Sequence, residues 1–159
     1  MDTDRISHDI VIDAPIARVW EALTRPEELS RWFGSAGEFA RGDGQELRLR
    51  WEEHGTFIAH IEREEAPHRF AWRWALRPDE QPRRGNSTHV DFVLAETGGL
   101  TRVEVTETGF TTLDETPGQR ADAVNDNLAG WVGGLMSLKQ YLEGYAESAL
   151  PDRGGATPV

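Results

Sequence analysis

Among the groups in this chain that could do chemistry, Glu107 is the best placed. It shares the parity of Val103 and Val105 on a stretch that ends at Gly109-Phe110, so strand alternation turns it toward the apolar side near the end of that strand. A partly desolvated carboxyl there can orient a polar group of a ligand, or serve as a general acid or base. The alternative is a solvated Glu at the strand's exposed end. The histidines at 54, 60, 68 and 89 raise the question of a metal. His54 and His60 share a parity opposite to that of Phe57 and Ile61, so both are expected in solvent, and a metal needs three or four convergent ligands. Cysteine is absent, which excludes disulfides, thiolate metal sites and a cysteine nucleophile. There is no Gly-x-Ser-x-Gly elbow and no recognisable Ser/His/Asp order, so serine hydrolysis is not expected. The sequence assigns no catalytic residue, no metal and no cofactor.

Binding is the better supported chemistry. Trp32, Phe33, Trp51, Phe57, Trp72, Trp74, Phe92, Phe110 and Trp131 form a large aromatic set, and alternation places most of its strand members on one sheet face. They can pack as a solid core or line a pocket. Together with Glu107 and Leu135 they are the expected ligand-binding residues. Arg48, Arg50, Arg69 and Arg73 fall on the opposite face, interleaved with Glu46, Glu52, Glu62 and Glu64. Cross-strand ion pairs on a wet face account for these charges, and a docking patch for a protein partner is the second reading.

The elements that position these residues follow from periodicity. Residues 6 to 12 alternate, with Ile6, His8, Ile10 and Ile12 on one side, and predict the first strand. Asp13-Ala14-Pro15 offers a cap and an early helical proline before Ile16, Val19, Trp20 and Leu23 at helical spacing. Pro26-Glu27-Glu28 starts a second short helix, with Leu29, Trp32 and Phe33 on its apolar side and Gly34 ending it. From Gln45 to Thr108 the period is two, giving four or five strands. Phe70, Trp72, Trp74 and Leu76 alternate most strongly, and Gly98-Gly99 joins the last two strands as a hairpin. Thr116-Pro117-Gly118-Gln119 reads as a capping box. Behind it Val124, Leu128, Trp131, Leu135, Leu138, Leu142 and Tyr145 form one helical stripe. Gly130, Gly133 and Gly134 interrupt that helix at ~1 kcal/mol each relative to Ala. Close approach to the sheet, room for a ligand beside Trp131, or a bend are the available reasons.

At 159 residues the chain is the size of one domain, taken as residues 1–146, with 147–159 as a flexible Gly/Pro/Ala-rich tail. Its 28 acidic and 17 basic residues leave a formal charge of −11, which opposes binding to nucleic acid or to anionic membranes. No leader or spanning run of ~20 apolar residues is visible, so a cytoplasmic location is expected by default.

The order of strand, two short helices, a run of antiparallel strands and a long last helix resembles the SRPBCC superfamily, also called START-like or birch-pollen-allergen-like. Asp13-Ala14-Pro15-Ile16-Ala17-Arg18-Val19-Trp20-Glu21-Ala22-Leu23-Thr24 with Leu29-Ser30-Arg31-Trp32-Phe33 is similar to the opening signature of the branch named for the activator of the Hsp90 chaperone ATPase. Thr106-Glu107-Thr108-Gly109-Phe110, and Gly130-Trp131 followed by Leu135, Leu138 and Tyr141-Leu142-Glu143, are similar to its closing signature. The resemblance covers about residues 6 to 145 and implies an α+β helix-grip fold: a curved antiparallel sheet of about six or seven strands wrapped round a long C-terminal helix. It also implies an apolar cavity between sheet and helix, used across the superfamily for lipids, sterols, polyketides or other apolar ligands, and members of the branch are often small bacterial proteins. Three functions follow as expectations. The first is non-catalytic binding of a hydrophobic or aromatic small molecule. The second is a polyketide cyclase or aromatase reaction assisted by Glu107. The third is stimulation of a chaperone ATPase through protein contact, with a protein partner or a homodimer.

Overall fold

The structure, a computed structural model, describes residues 3–33, 37–42, 44–51 and 53–144. The expected positions Gly34, Glu52 and Tyr145 and the 147–159 tail lie outside the described residues. Strand β1 (Arg5–Ile12) leads into helices α1 (Ile16–Thr24) and α2 (Pro26–Trp32). Strands β2 (Gly37–Arg41), β3 (Glu46–Trp51), β4 (Gly55–Glu65), β5 (Arg69–Ala75), β6 (Ser87–Thr97) and β7 (Leu100–Thr108) follow, then a turn of 3-10 helix (Phe110–Thr112) and helix α3 (Pro117–Glu143). The seven strands form one curved antiparallel sheet in the order β1-β7-β6-β5-β4-β3-β2. Strands β2 to β7 are neighbours in sequence order, and β1 pairs with β7 at one edge of the sheet, the single pairing between strands that are not consecutive.

Local chemistry explains most of these boundaries. Gly98 and Gly99, at φ 59° and 84°, occupy the two positive-φ positions of a hairpin turn whose twist matches the strands it joins. Thr116 accepts a hydrogen bond from the Gln119 backbone N–H while the Gln119 side chain accepts one from the Thr116 N–H, the expected capping box. Helix α2 has Pro26 in its first turn with Glu27 and Glu28 beside it, as the favourable sign at a helix N-terminus requires. At α1 the expectation is corrected: Pro15 is itself the N-cap and no side chain caps the helix.

Three further corrections concern the sheet. Among the described residues of strand β2, Phe39 is the one that is buried, and a single apolar side chain leaves no alternation to detect. The register of β4 on β5 shifts between Ile61 and Arg63, so Glu62 is an extra residue in a bulge. That shift pairs Glu64 with Phe70 and brings Glu64 to the aromatic side of the sheet, where it meets Arg41 at 3.0 Å. Simple parity had set it on the other face. His54 likewise sits in the turn before β4 and not on the strand.

Helix α3 lies over the inner face and is fastened to β1 at its far end. Lys139 Nζ donates to the Val11 carbonyl at 2.8 Å, and the Asp13 N–H donates to Glu143 Oε2 at 2.7 Å. Its inner side buries Trp131, Leu135 and Leu138. No helix among the described residues is long and apolar enough to cross a membrane.

Candidate functional site

The register of three neighbouring strands builds the site. Trp74 on β5 is directly opposite Thr88 on β6, and Glu107 on β7 is opposite Val90, two residues along from Thr88 and so diagonal to it. Antiparallel partners share a face, so Trp74, Thr88 and Glu107 all project inward. From above, Asn127 and Trp131 point down from α3, four residues apart and therefore on one side of the helix.

These five side chains converge on one carboxylate. Glu107 is 0% exposed, which overturns the reading of a solvated Glu at the strand end. Its Oε2 accepts hydrogen bonds from Trp74 Nε1 at 3.0 Å, Thr88 Oγ1 at 2.5 Å and Asn127 Nδ2 at 3.0 Å. Its Oε1 accepts one from Trp131 Nε1 at 2.8 Å. Two of the four donors are indoles, which have no acceptor to offer, so the arrangement is complementary to an acceptor-only carboxylate. Burying such a charge costs several kcal/mol. Four hydrogen bonds to a charged group, at about 1.5–3 kcal/mol each, are enough to offset that. All four donors are neutral, so the group is satisfied without being ion-paired.

The aromatic set packs around this centre. Phe33 is the hub: its ring lies nearly parallel to Trp131 at 5.3 Å and 17° and to Trp74 at 6.2 Å and 19°, and meets Trp51 edge-on at 5.5 Å. Trp72 contacts Trp74 at 5.4 Å and Phe92 at 5.2 Å, and Trp32 stacks on Phe33 at 5.3 Å. The indole N–H groups pin several of these rings. Trp32 Nε1 donates to the Ala22 carbonyl at 2.8 Å, and Trp51 Nε1 to the Phe33 carbonyl at 3.1 Å. Trp72 differs, because its Nε1 is buried with no hydrogen-bond partner. Phe57 stands at the margin against Trp51 at 5.7 Å. Phe110 is fully buried in the turn after β7, and Leu135 is fully buried one turn beyond Trp131. Of the expected residues, then, Trp32, Phe33, Trp51, Trp72, Trp74, Phe92, Glu107 and Trp131 are brought into one connected layer, with the other three at its edges.

Thr88 and Asn127 were not among the expected residues. A signal existed for both: Thr88 has the inward parity of Val90 and Phe92, and Asn127 stands four residues before Trp131 beside the apolar stripe.

The outer face is polar, as expected. Arg73 pairs with Glu62 at 3.5 Å, His89 with Glu62 at 2.7 Å, and Arg69 with Asp91. An open depression of about 600 Å³ there is lined by Gln45, Glu46, Arg48, His60 and Gln81, and His60 Nε2 is bonded to Gln81 Oε1 at 2.8 Å. Among the described residues no three His, Asp or Glu side chains are grouped to hold a metal.

Comparison with known proteins adds the ancestry. The family described as activator of Hsp90 ATPase homolog 1-like protein matches residues 13–143. No curated protein matches the chain. Among solved structures, DynU16, a protein of the dynemicin biosynthetic locus, is 22% identical with a TM-score of 0.69 over 95% of this chain. The chain spans about half of DynU16, 51% of its length. CalU16 from Micromonospora echinospora is 22% identical, with a TM-score of 0.62 over 88% of this chain and 74% of that one. The Aha1 dimer from Colwellia psychrerythraea is 23% identical, with a TM-score of 0.68 over 89% of this chain and 97% of that one. At these identities the likeness is one of fold.

Proposed function

The chain belongs to the family of activator of Hsp90 ATPase homolog 1-like proteins, and we propose that within this fold it binds a hydrophobic or aromatic small molecule between the sheet and α3, without transforming it. The observation that carries this reading is the aromatic layer itself. Aliphatic side chains would fill a core of this size, yet the space between helix and sheet holds rings on rings, with Phe33 stacked against both Trp74 and Trp131. Phe33 stands at the C-terminal end of α2 and not on the sheet or on α3, so a planar ligand entering between them would take the place of its ring. The test is native mass spectrometry of the purified protein, with denaturing extraction of anything bound, alongside tryptophan emission titrated with a naphthalene probe. A co-purified apolar compound, or saturable quenching, supports binding. A protein that carries nothing and whose emission ignores the probe overturns it.

One observation favours a catalytic variant of the same reading. A buried carboxylate beside an aromatic layer is the equipment an enzyme of the polyketide cyclase or aromatase kind would use for proton transfer. Turnover of a polyketide mimic that persists unchanged in Glu107→Gln would remove that role. For protein partners, the dimer formed by the Colwellia relative makes a second copy of this chain the first one to seek, and sedimentation equilibrium decides between one and two copies.

A further inference from the structure

We infer that the ligand is a hydrophobic cation, an apolar frame bearing a protonated amine, with Glu107 as its counter-charge; this rests on the binding reading above and names the ligand class for that site. The argument begins with lone pairs. A carboxylate oxygen accepts more than one hydrogen bond, and the two oxygens of Glu107 are used unequally: Oε2 takes three donors and Oε1 only Trp131. Oε1 therefore keeps acceptor capacity beyond its bond to Trp131. All four partners are neutral, so none of them brings a positive charge to the carboxyl group. The surrounding rings add to the carboxylate, because aromatic faces are the negative end of a quadrupole and attract ammonium groups. The ring planes of Phe33, Trp74 and Trp131 are within 26° of parallel to one another, so a ligand ring that took the place of Phe33 would lie beside two indoles already bonded to Glu107.

A second, independent observation is the Trp72 indole. Its Nε1 is fully buried with no partner, a state few native polar groups keep without a reason. It is a donor only, and it asks for a neutral acceptor such as a hydroxyl, ether or carbonyl oxygen on the same ligand. An anion would meet this single neutral donor, a fixed carboxylate and several negative ring faces. Fatty acids and other carboxylates are therefore disfavoured at this site, although they are as apolar as the amine.

The experiment is calorimetric titration at neutral pH with three probes that share one ring system: 1-naphthylmethylamine, 1-naphthalenemethanol and 1-naphthoate. The amine is expected to bind at least about tenfold more tightly than the alcohol, and the naphthoate more weakly than either. In Glu107→Gln the preference for the amine over the alcohol should disappear. Equal affinities across the three, or a preference for the naphthoate, overturn the cation inference and leave the binding reading standing. If none of the three binds, both fall. The wild-type series decides the matter even if Glu107→Gln does not fold, and Trp72→Phe supplies a second variant, expected to weaken the alcohol, whose oxygen can accept from the indole N–H, and to leave the protonated amine, which offers no acceptor, nearly unchanged.

Discussion

Glu107 joins two sheet donors, Trp74 and Thr88, to two helix donors, Asn127 and Trp131, so replacing it should loosen the attachment of α3 and not only a local contact. In Glu107→Leu the four donors stay buried without their acceptor, at ~1–3 kcal/mol each less whatever they recover from one another. We expect a loss of at least ~3 kcal/mol in urea denaturation. A loss below ~1 kcal/mol would mean that the donors find water or other partners. Glu28 presents the opposite situation, a carboxylate with a cationic partner. Burial pushes its carboxyl up, but hydrogen bonds from Arg18 at 2.9 Å and from the Tyr141 hydroxyl at 2.6 Å outweigh that and hold it below the ordinary value. A folded-state value below the unfolded one contributes stability above the ordinary Glu range, and that contribution is lost as pH falls through the folded value. Acid should therefore weaken the junction of α1, α2 and α3. Glu28→Gln is expected to be less stable than the wild type at neutral pH and to lose less on acidification, followed by chemical denaturation across a pH series.

Helix α3 shows what an element can carry without telling its reason. Its start was legible because the Thr116–Gln119 box is local chemistry, and its buried side was legible because Trp131, Leu135 and Leu138 recur at helical spacing. The three glycines were visible too, but their purpose was not. Close approach to the sheet does not explain two of them: a Cβ added at Gly130 or Gly133 meets nothing within 4 Å, and one at Gly134 would sit 3.8 Å from Phe33, an ordinary contact. Gly130→Ala and Gly133→Ala should each raise stability by ~1 kcal/mol, seen as a higher Tm. If both stabilise the fold while slowing probe uptake in stopped-flow fluorescence, the glycines serve the movement of α3; stabilisation with unchanged uptake leaves them as plain helix defects. Sequence reading failed where an element depends on its neighbours. Strand β2 is defined by pairing with β3, with Phe39 as the buried one among its described residues, and the bulge at Glu62 is a property of the β4–β5 register, which no single strand's alternation contains.

At the scale of the molecule, the candidate site was half legible. Alternation put Trp72, Trp74 and Glu107 on one face, but the convergence of Thr88 and Asn127 on Glu107 depends on the diagonal between β6 and β7 and on the height of α3 above them. Neither quantity exists before the fold does. The charge balance is a different matter, since −11 is read directly from composition and makes a prediction that two opposing effects decide. The outer face is laced with ion pairs whose arginines remain partly exposed, among them Arg73 with Glu62 and Arg102 with Asp9. Pairs of that kind contribute ~0–1 kcal/mol each and weaken as salt screens them. Against them stands the mutual repulsion of the surplus carboxylates, which acts over the whole compact surface and is screened by the same salt. Shortening the Debye length from ~30 Å at about 0.01 M to ~3 Å at about 1 M removes both effects together, so the sign of the change reports which is larger. Because acidic residues outnumber basic ones by 28 to 17, repulsion should dominate and Tm should rise with sodium chloride in a thermal melt. A Tm that falls would show that the pairs across the outer face contribute more than the surplus charge takes away.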